Sequence, residues 1–308
     1  MDYRDIMGVK ELSWENSLGA FVRIAIVDSG MPPAVARIGW HGYSRMDQTP
    51  CPDRFGHATE VASILFGGRG IVGLCENSVP IFVKALDDDG YGDVESVSRG
   101  IIEAIEKDAD IINLSLGFMR TEECPKDLEW ACNAAYEAGK TVICAAGNDG
   151  GLVNWPAALK TTICVGSSAE NGIKNVFSSV GEVDFVAPGE NLTVLGLNGC
   201  GKKVSGTSFS AAMVSGVAAL LVHGMKMRGC QAKMDAVKDA LVDMSQDVDE
   251  PGWDSRTGYG VIAAKMDDST TNMKMRRGFF GRILERTQIL LGLKKKERTD
   301  GRFRLGKA

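Results

Sequence analysis

Short apolar runs of strand length alternate with helical periodicity along most of this 308-residue chain, and that alternation restricts the fold more than any other feature. Six of the eight residues from Phe21 to Asp28 are apolar, which reads as a strand buried on both faces. Residues 81–85, 111–117, 141–146 and 162–166 read the same way. Between them Val97, Ile101, Ile102 and Ile105 define one helical face. Leu128, Ala131, Cys132 and Ala135 define another, with Gly139 as its C-cap, and Met234, Val237, Leu241 and Met244 outline a late helix. Strands alternating with helices imply an α/β fold whose mainly parallel sheet is covered by helices on both faces. In such sheets ligand chemistry gathers at the carboxyl ends of the strands.

Three polar residues stand in settings that invite chemistry. Asp28 ends the first apolar run and is followed by Ser29-Gly30. A turn aspartate that bonds nearby backbone is the plainer reading of it. His57 precedes Ala58, Val61, Ala62 and Leu65 at helical spacing, so it stands in the first turn of an amphipathic helix. The other two histidines are His41, in a polar stretch that reads as a loop, and His223, late in an apolar helix. Ser208 lies in Gly206-Thr207-Ser208-Phe209-Ser210-Ala211-Ala212, at the start of a long apolar run. A serine there is a preferred N-cap, and equally a nucleophile beside the positive end of a helix dipole.

Asp, then His, then Ser is the chain order of the subtilisin triad. The blocks Ile26-Val27-Asp28-Ser29-Gly30, Gly56-His57-Ala58-Thr59-Glu60-Val61-Ala62 and Gly206-Thr207-Ser208-Phe209-Ser210-Ala211-Ala212 resemble those of subtilisin-like serine peptidases, the subtilases. Asn113-Leu114-Ser115-Leu116-Gly117, Ala145-Ala146-Gly147-Asn148, Val186-Ala187-Pro188-Gly189 and Gly258-Tyr259-Gly260-Val261 support the likeness, which runs from about Val22 to about Ile262. The resemblance implies a three-layer subtilisin-like fold and peptide-bond hydrolysis through a seryl acyl-enzyme. Ser208 would be the nucleophile, His57 its base and Asp28 the group that orients the imidazole. Asn148 and the Ser208 amide would donate to the oxyanion, although Asn148 also reads as a turn residue before Asp149-Gly150. Ser115, Leu116 and Gly117 would pair with an extended substrate. Ala145, Ala146 and Gly147 would wall a side-chain pocket, with Asn154 near its floor. Trp155-Pro156 matches a family turn whose proline bond is often cis.

The chain also departs from the family pattern. Ala58 replaces the usual glycine after the histidine, and Phe209 to Met213 lacks the family's Met-Ala-x-Pro-His, including its proline. The short segment Gly67-Gly68-Arg69-Gly70-Ile71-Val72-Gly73 has no asparagine-rich calcium loop, so no cofactor and no metal are expected. About twenty residues precede the first strand, so the family's prodomain is expected to be absent or to have been trimmed away, the latter in keeping with secretion. Asp87, Asp88, Asp89, Asp93 and Glu95 would border the upstream pockets and favour basic substrate residues.

Eight cysteines form no small-scaffold disulfide pattern; Cys132, Cys144 and Cys164 fall in apolar runs, as reduced cysteine does. No signal peptide opens the chain and no apolar run reads as long enough to span a bilayer, so a cytoplasmic or other intracellular location is expected. Residues 271–308 hold twelve Lys/Arg against three Asp/Glu, about +9, which leaves about −14 on the rest and argues against nucleic-acid binding by the body. Phe279, Phe280, Ile283, Leu284, Leu290 and Leu291 form one helical face before Lys294-Lys295-Lys296. This basic amphipathic tail suits docking on a partner, an anionic surface or the acidic body. The expected organisation is an N-terminal extension at 1–20, a catalytic domain at 21–266 and the tail at 267–308. A narrow-specificity intracellular processing endopeptidase is the reading that results; the alternative is a non-catalytic protein that keeps the fold and binds extended peptides.

Overall fold

The computed structural model describes residues 1–9, 17–33 and 51–262 in full, and the backbone of 41–44, 296–299 and 302–305. The chain divides into two compact units, residues 1–266 and 267–308. In the first unit, β1 (Arg23–Asp28), β2 (His41–Ser44), β3 (Val79–Lys84), β4 (Ile111–Leu114), β5 (Thr141–Ala145), β6 (Ile163–Ser168) and β7 (Phe185–Pro188) form one sheet. Its order is β2-β3-β1-β4-β5-β6-β7, and every neighbouring pair is parallel. The chain leaves β1 toward β2 and β3 on one side and returns on the other with β4. The carboxyl ends of β1 and β4 therefore flank a topological switch point, where such sheets open a crevice.

Strand alternation sorts the core into two faces. Ala25, Val27, Ile81, Val83, Ile112 and Leu114 share one cluster with the buried residues of α3 (Val94–Glu106) and α4 (Lys126–Glu137). The residues between them point the other way, toward α2 (His57–Phe66) and α5 (Thr207–Met227). The helix α5 crosses β4, β5, β6 and β7, and α6 (Met234–Met244) packs on it. The short helix α1 (Tyr3–Ile6) belongs to the same body: Tyr3 is fully buried and its hydroxyl donates to the Thr193 carbonyl at 2.6 Å. Thr193 lies in β8 (Leu192–Leu195), which forms an antiparallel hairpin with β9 (Gly201–Val204) against α2. In the second unit β10 (Lys296–Thr299) pairs antiparallel with β11 (Arg302–Leu305). The expected amphipathic stretch from Phe279 to Leu291 lies outside the described residues.

Two expectations change. His41 opens the edge strand β2 rather than lying in a loop. Helix α5 is 21 residues long and apolar enough, by length and composition, to cross a membrane, although the sequence showed no such run. Its most apolar stretch is 94% buried within the fold, so its greasiness faces the sheet and its neighbouring helices. Close approach is the reason for glycine in its middle: a Cβ at Gly216 would lie 2.6 Å from both Cβ and Cδ1 of Leu74. Gly216→Ala should therefore lower stability by about 1–3 kcal/mol through overpacking, despite alanine's better helix propensity. Urea unfolding of the variant measures this, and an unchanged midpoint would show that the Leu74 segment yields freely.

Candidate active site

Asp28 is the last residue of β1 and is fully buried, and its main-chain carbonyl accepts from the Ala85 and Leu86 amides. His57 is the first residue of α2. Its Nδ1 lies 2.9 and 2.8 Å from the two Asp28 carboxylate oxygens. A nitrogen facing two carboxylate oxygens carries the proton, so in the neutral imidazole Nε2 is left as the acceptor. Burial acts to lower the His57 pKa. The Asp28 charge and hydrogen bond, with the Glu60 and Asp53 carboxylates behind them, outweigh it and hold the pKa above 6.5. Glu60 is itself ion-paired with Lys202 of β9.

Two residues that the sequence reading passed over build this pair. Asp53 is 3% exposed and accepts from the Gly56 amide at 2.7 Å, the Thr59 amide at 2.8 Å, the Thr59 hydroxyl at 2.6 Å and the Ser29 hydroxyl at 2.9 Å. The Ser29 oxygen in turn accepts from the Ala58 amide at 3.0 Å. These bonds use amide donors that the first turn of α2 cannot satisfy internally, and they tie the end of β1 to the start of α2. An aspartate three to six residues before a helical run was the available signal. Ala58, in the usual glycine's place, is fully buried.

Ser208 is the second residue of α5, so its main-chain N–H has no intrahelical acceptor. Its hydroxyl donates to the Ser115 carbonyl at 2.9 Å, and the Ser115 hydroxyl donates to the Ser208 carbonyl at 2.7 Å. No hydrogen bond joins Ser208 to His57, although Phe209, next in the chain, packs on the imidazole with ring centroids 5.8 Å apart. Catalytic bonds are often open in free enzymes. Asn148 follows β5 on the exposed side, and its Oδ1 accepts from the Thr207 amide at 2.8 Å and the Thr207 hydroxyl at 2.9 Å. With the oxygen so engaged, its NH₂ group is the part left to donate beside Ser208.

The remaining predicted residues converge near this point. Gly147 has φ +118°, and a Cβ there would come within 2.8 Å of Asn154 Nδ2. A Cβ at Gly117 would lie 3.2 Å from the Asn154 Cβ, so both glycines pack against Asn154. The Asn154 amide donates to the Ala146 carbonyl, and the Trp155-Pro156 peptide is cis. A groove of about 320 Å³ runs from His57 along Ser115, Leu116 and Gly117, walled opposite by Phe55, Leu86 and Tyr91.

The acidic loop has partners of its own, and Asp87, Asp88 and Asp89 line a second cleft together with Arg54 and Lys84. Asp87 accepts from the Asp89 and Tyr91 amides, Asp88 pairs with Lys84 and Arg54, Asp93 caps α3 through the Ser96 amide, and Glu95 pairs with Arg99. These bonds shape the loop, and the groove it borders is lined chiefly by apolar side chains. Among the described residues no three His, Cys, Asp or Glu side chains converge on one point. Residues 67–73 offer no side-chain oxygen, and Gly68 and Ile71 bond to each other through the main chain.

The sequence model of the subtilase family (Peptidase S8) matches residues 22–260. The chain belongs to the subtilases, the subtilisin-like serine peptidases. It is 36% identical over 261 residues to the minor extracellular protease Epr of Bacillus subtilis, covering 82% of this chain and 39% of that protein. It is 32% identical over 242 residues to thermitase of Thermoactinomyces vulgaris, covering 74% of this chain and 85% of thermitase. The chain thus spans well under half the length of Epr and most of thermitase. Among solved structures it resembles the prenylagaramide maturation protease PagA, with TM-score 0.72 and 30% identity, covering 82% of this chain and 94% of PagA. It also resembles a serine-to-alanine mutant of the protease domain of PatA, with TM-score 0.68 and 26% identity, covering 85% of this chain and 96% of that one.

The raised pKa of His57 has a defined consequence for stability. Because the folded value lies above the unfolded one, its stabilising contribution is complete below about 6.5 and is lost as pH rises through the folded pKa. Asp53→Asn removes one of the charges that raise it and one acceptor oxygen, and with that oxygen two of the four hydrogen bonds Asp53 accepts. Imidazole NMR should show the His57 titration moving down toward 6.5 in this variant, with about 1–3 kcal/mol lost on unfolding. A titration identical to wild type would mean that Asp53 acts on neither charge nor geometry.

Proposed function

We propose that the chain is a serine endopeptidase in which Asp28, His57 and Ser208 form the triad and Asn148 is the oxyanion donor. The observation that carries this reading is the Asp28–His57 pair, because it leaves Nε2 as a proton acceptor on the cleft side. As the Ser208 hydroxyl leaves the Ser115 carbonyl for His57, its oxygen attacks the peptide carbonyl and its proton passes to Nε2. Asp28 stabilises the imidazolium that results, which then protonates the leaving amine. The Asn148 amide and the Ser208 N–H stabilise the oxyanion until the acyl-enzyme forms. Water, deprotonated by the same imidazole, releases the acid product.

The peptide lies along Ser115, Leu116 and Gly117 as an added strand. Ala145, Ala146, Gly147 and Asn154 surround the first side-chain pocket, and the apolar groove supports large apolar residues upstream rather than Lys or Arg. Narrow processing is favoured over general degradation by the likeness to a named maturation protease. Cys75, Cys124, Cys132, Cys144 and Cys164 are buried as free thiols, which suits a reducing compartment. The contrast between a tail of about +9 and a remainder of about −14 supports docking of the tail on an anionic surface, whether a partner's, a membrane's or the body's own. The non-catalytic alternative draws on one observation, the Ser208 hydroxyl resting on Ser115.

Labelling of the purified chain by a fluorophosphonate, read by intact mass, separates the two. Wild type should gain one adduct and Ser208→Ala none. Asn148→Ala should still label while turnover of a peptide falls about 10²–10³-fold, the loss known for such a donor in subtilisin. An unlabelled, folded wild type would leave the peptide-binding reading standing. A peptide library should show large apolar residues enriched upstream of the cut; enrichment of Lys or Arg there would return the acidic loop to the role first expected of it.

A further inference from the structure

Behind the nucleophile a buried polar chain runs between β4 with its extension and α5. The Ser215 hydroxyl donates to Asn113 Oδ1 at 2.9 Å. Asn113 Nδ2 donates to the Ser115 hydroxyl at 2.9 Å, and that hydroxyl donates to the Ser208 carbonyl at 2.7 Å. Asn113 and Ser215 are fully buried and Ser115 is 4% exposed. Position accounts for the meeting. Asn113 and Ser115 are two apart, so they share the α5 face of the strand and its extension. Ser208 and Ser215 are seven apart, two turns along one stripe of α5. The sheet thus grips the helix at its first and third turns.

The proton inventory allows one arrangement. The single Ser115 proton goes to the Ser208 carbonyl, so Ser115 must accept from the Asn113 amide. Asn113 Oδ1 then faces the Ser215 proton. Apolar side chains would pack this interface without desolvating three polar groups, whereas a fully satisfied chain selects one register and one rotation of the helix. What that choice sets is the place of Ser208, held by its carbonyl from one side while its own hydroxyl rests on the Ser115 carbonyl.

We infer that Asn113, Ser115 and Ser215 are positioning residues that hold the nucleophile at its attacking place, a role that rests on the peptidase reading above. The Ser115 side chain does this from the α5 face, while its main chain remains the part that meets substrate. Truncating it disturbs Ser208 and leaves peptide pairing intact.

The test compares wild type, Ser115→Ala, Ser115→Thr, Asn113→Asp and Ser215→Ala in the full chain, by fluorophosphonate labelling rate and by kcat and KM on one peptide. Each is assayed well below its Tm. Ser115→Ala should lose about tenfold or more in labelling rate and kcat, the scale of a small misplacement of a reacting group, with KM within about twofold. Ser115→Thr keeps the hydroxyl and should recover most of the rate. Asn113→Asp is nearly isosteric, but its carboxylate accepts from both serines and turns the Ser115 proton away from Ser208. Its loss should match that of Ser115→Ala. Ser215→Ala removes one oxygen and should fall between this and wild type. A role confined to stability would lower Tm and leave the kcat of the folded protein unchanged; that result, or a threonine no better than alanine, overturns the inference. A wild type that folds but neither labels nor cleaves would instead defeat the peptidase reading itself.

Discussion

The burial of α5 against the sheet is the constraint on which the rest depends. Eighteen of its 21 residues are buried, and it crosses four strands on its way through the core. A helix so enclosed cannot tilt or slide without opening cavities, so the position of its first turn is set by packing far from the cleft. That first turn carries Ser208, whose own N–H is a donor that no intrahelical bond uses. The same packing that stabilises the domain therefore presents a serine and a fixed electropositive end to the crevice.

The opposite wall is built on a different principle. Helix α2 is short, and its place depends on how its start is tied to β1 through Asp53 and Ser29 rather than on burial alone. The two walls meet where the sheet order reverses between β1 and β4. One wall supplies the Asp28–His57 pair, the other supplies Ser208, and the extension of β4 supplies Ser115 to both the cleft and the core. The groups lie on separate elements, so each can be placed by its own supports. Asn148 illustrates this, since Thr207 holds its oxygen and thereby aims its amide.

The apolar alternation was legible because burial on both faces leaves a direct mark on composition. Strands β1, β3, β4, β5 and β6 and helices α2, α3, α4 and α6 fall where the periodicity put them. The candidate site residues stood out because glycine-flanked polar residues at the ends of apolar runs have few other reasons to be there. Less legible was whatever depends on partners distant in sequence. The acidic loop stood out by its charge, but the bonds of Asp87, Asp88 and Glu95 to Lys84, Arg54, Arg99 and the loop's own amides did not. The membrane-length apolar stretch of α5 was broken by Ser215, Gly216 and His223, each of which has a packing or hydrogen-bonding place inside the fold.

By itself the sequence determined the layered parallel architecture, the order of its elements and the identity of the residues offered to the cleft, because local periodicity and local turn chemistry encode these. Only the tertiary structure decided which polar groups hold them. Asp53 at one wall and Ser215 at the other are ordinary residues in the sequence, and nothing there shows the bonds that Ser29, Asn113 and the Ser115 side chain make. These residues acquire their meaning from bonds that span 24 residues in one case and 102 in another. Hydrogen bonds are directional and short, so such partners become visible only when folding has brought the strands and helices together.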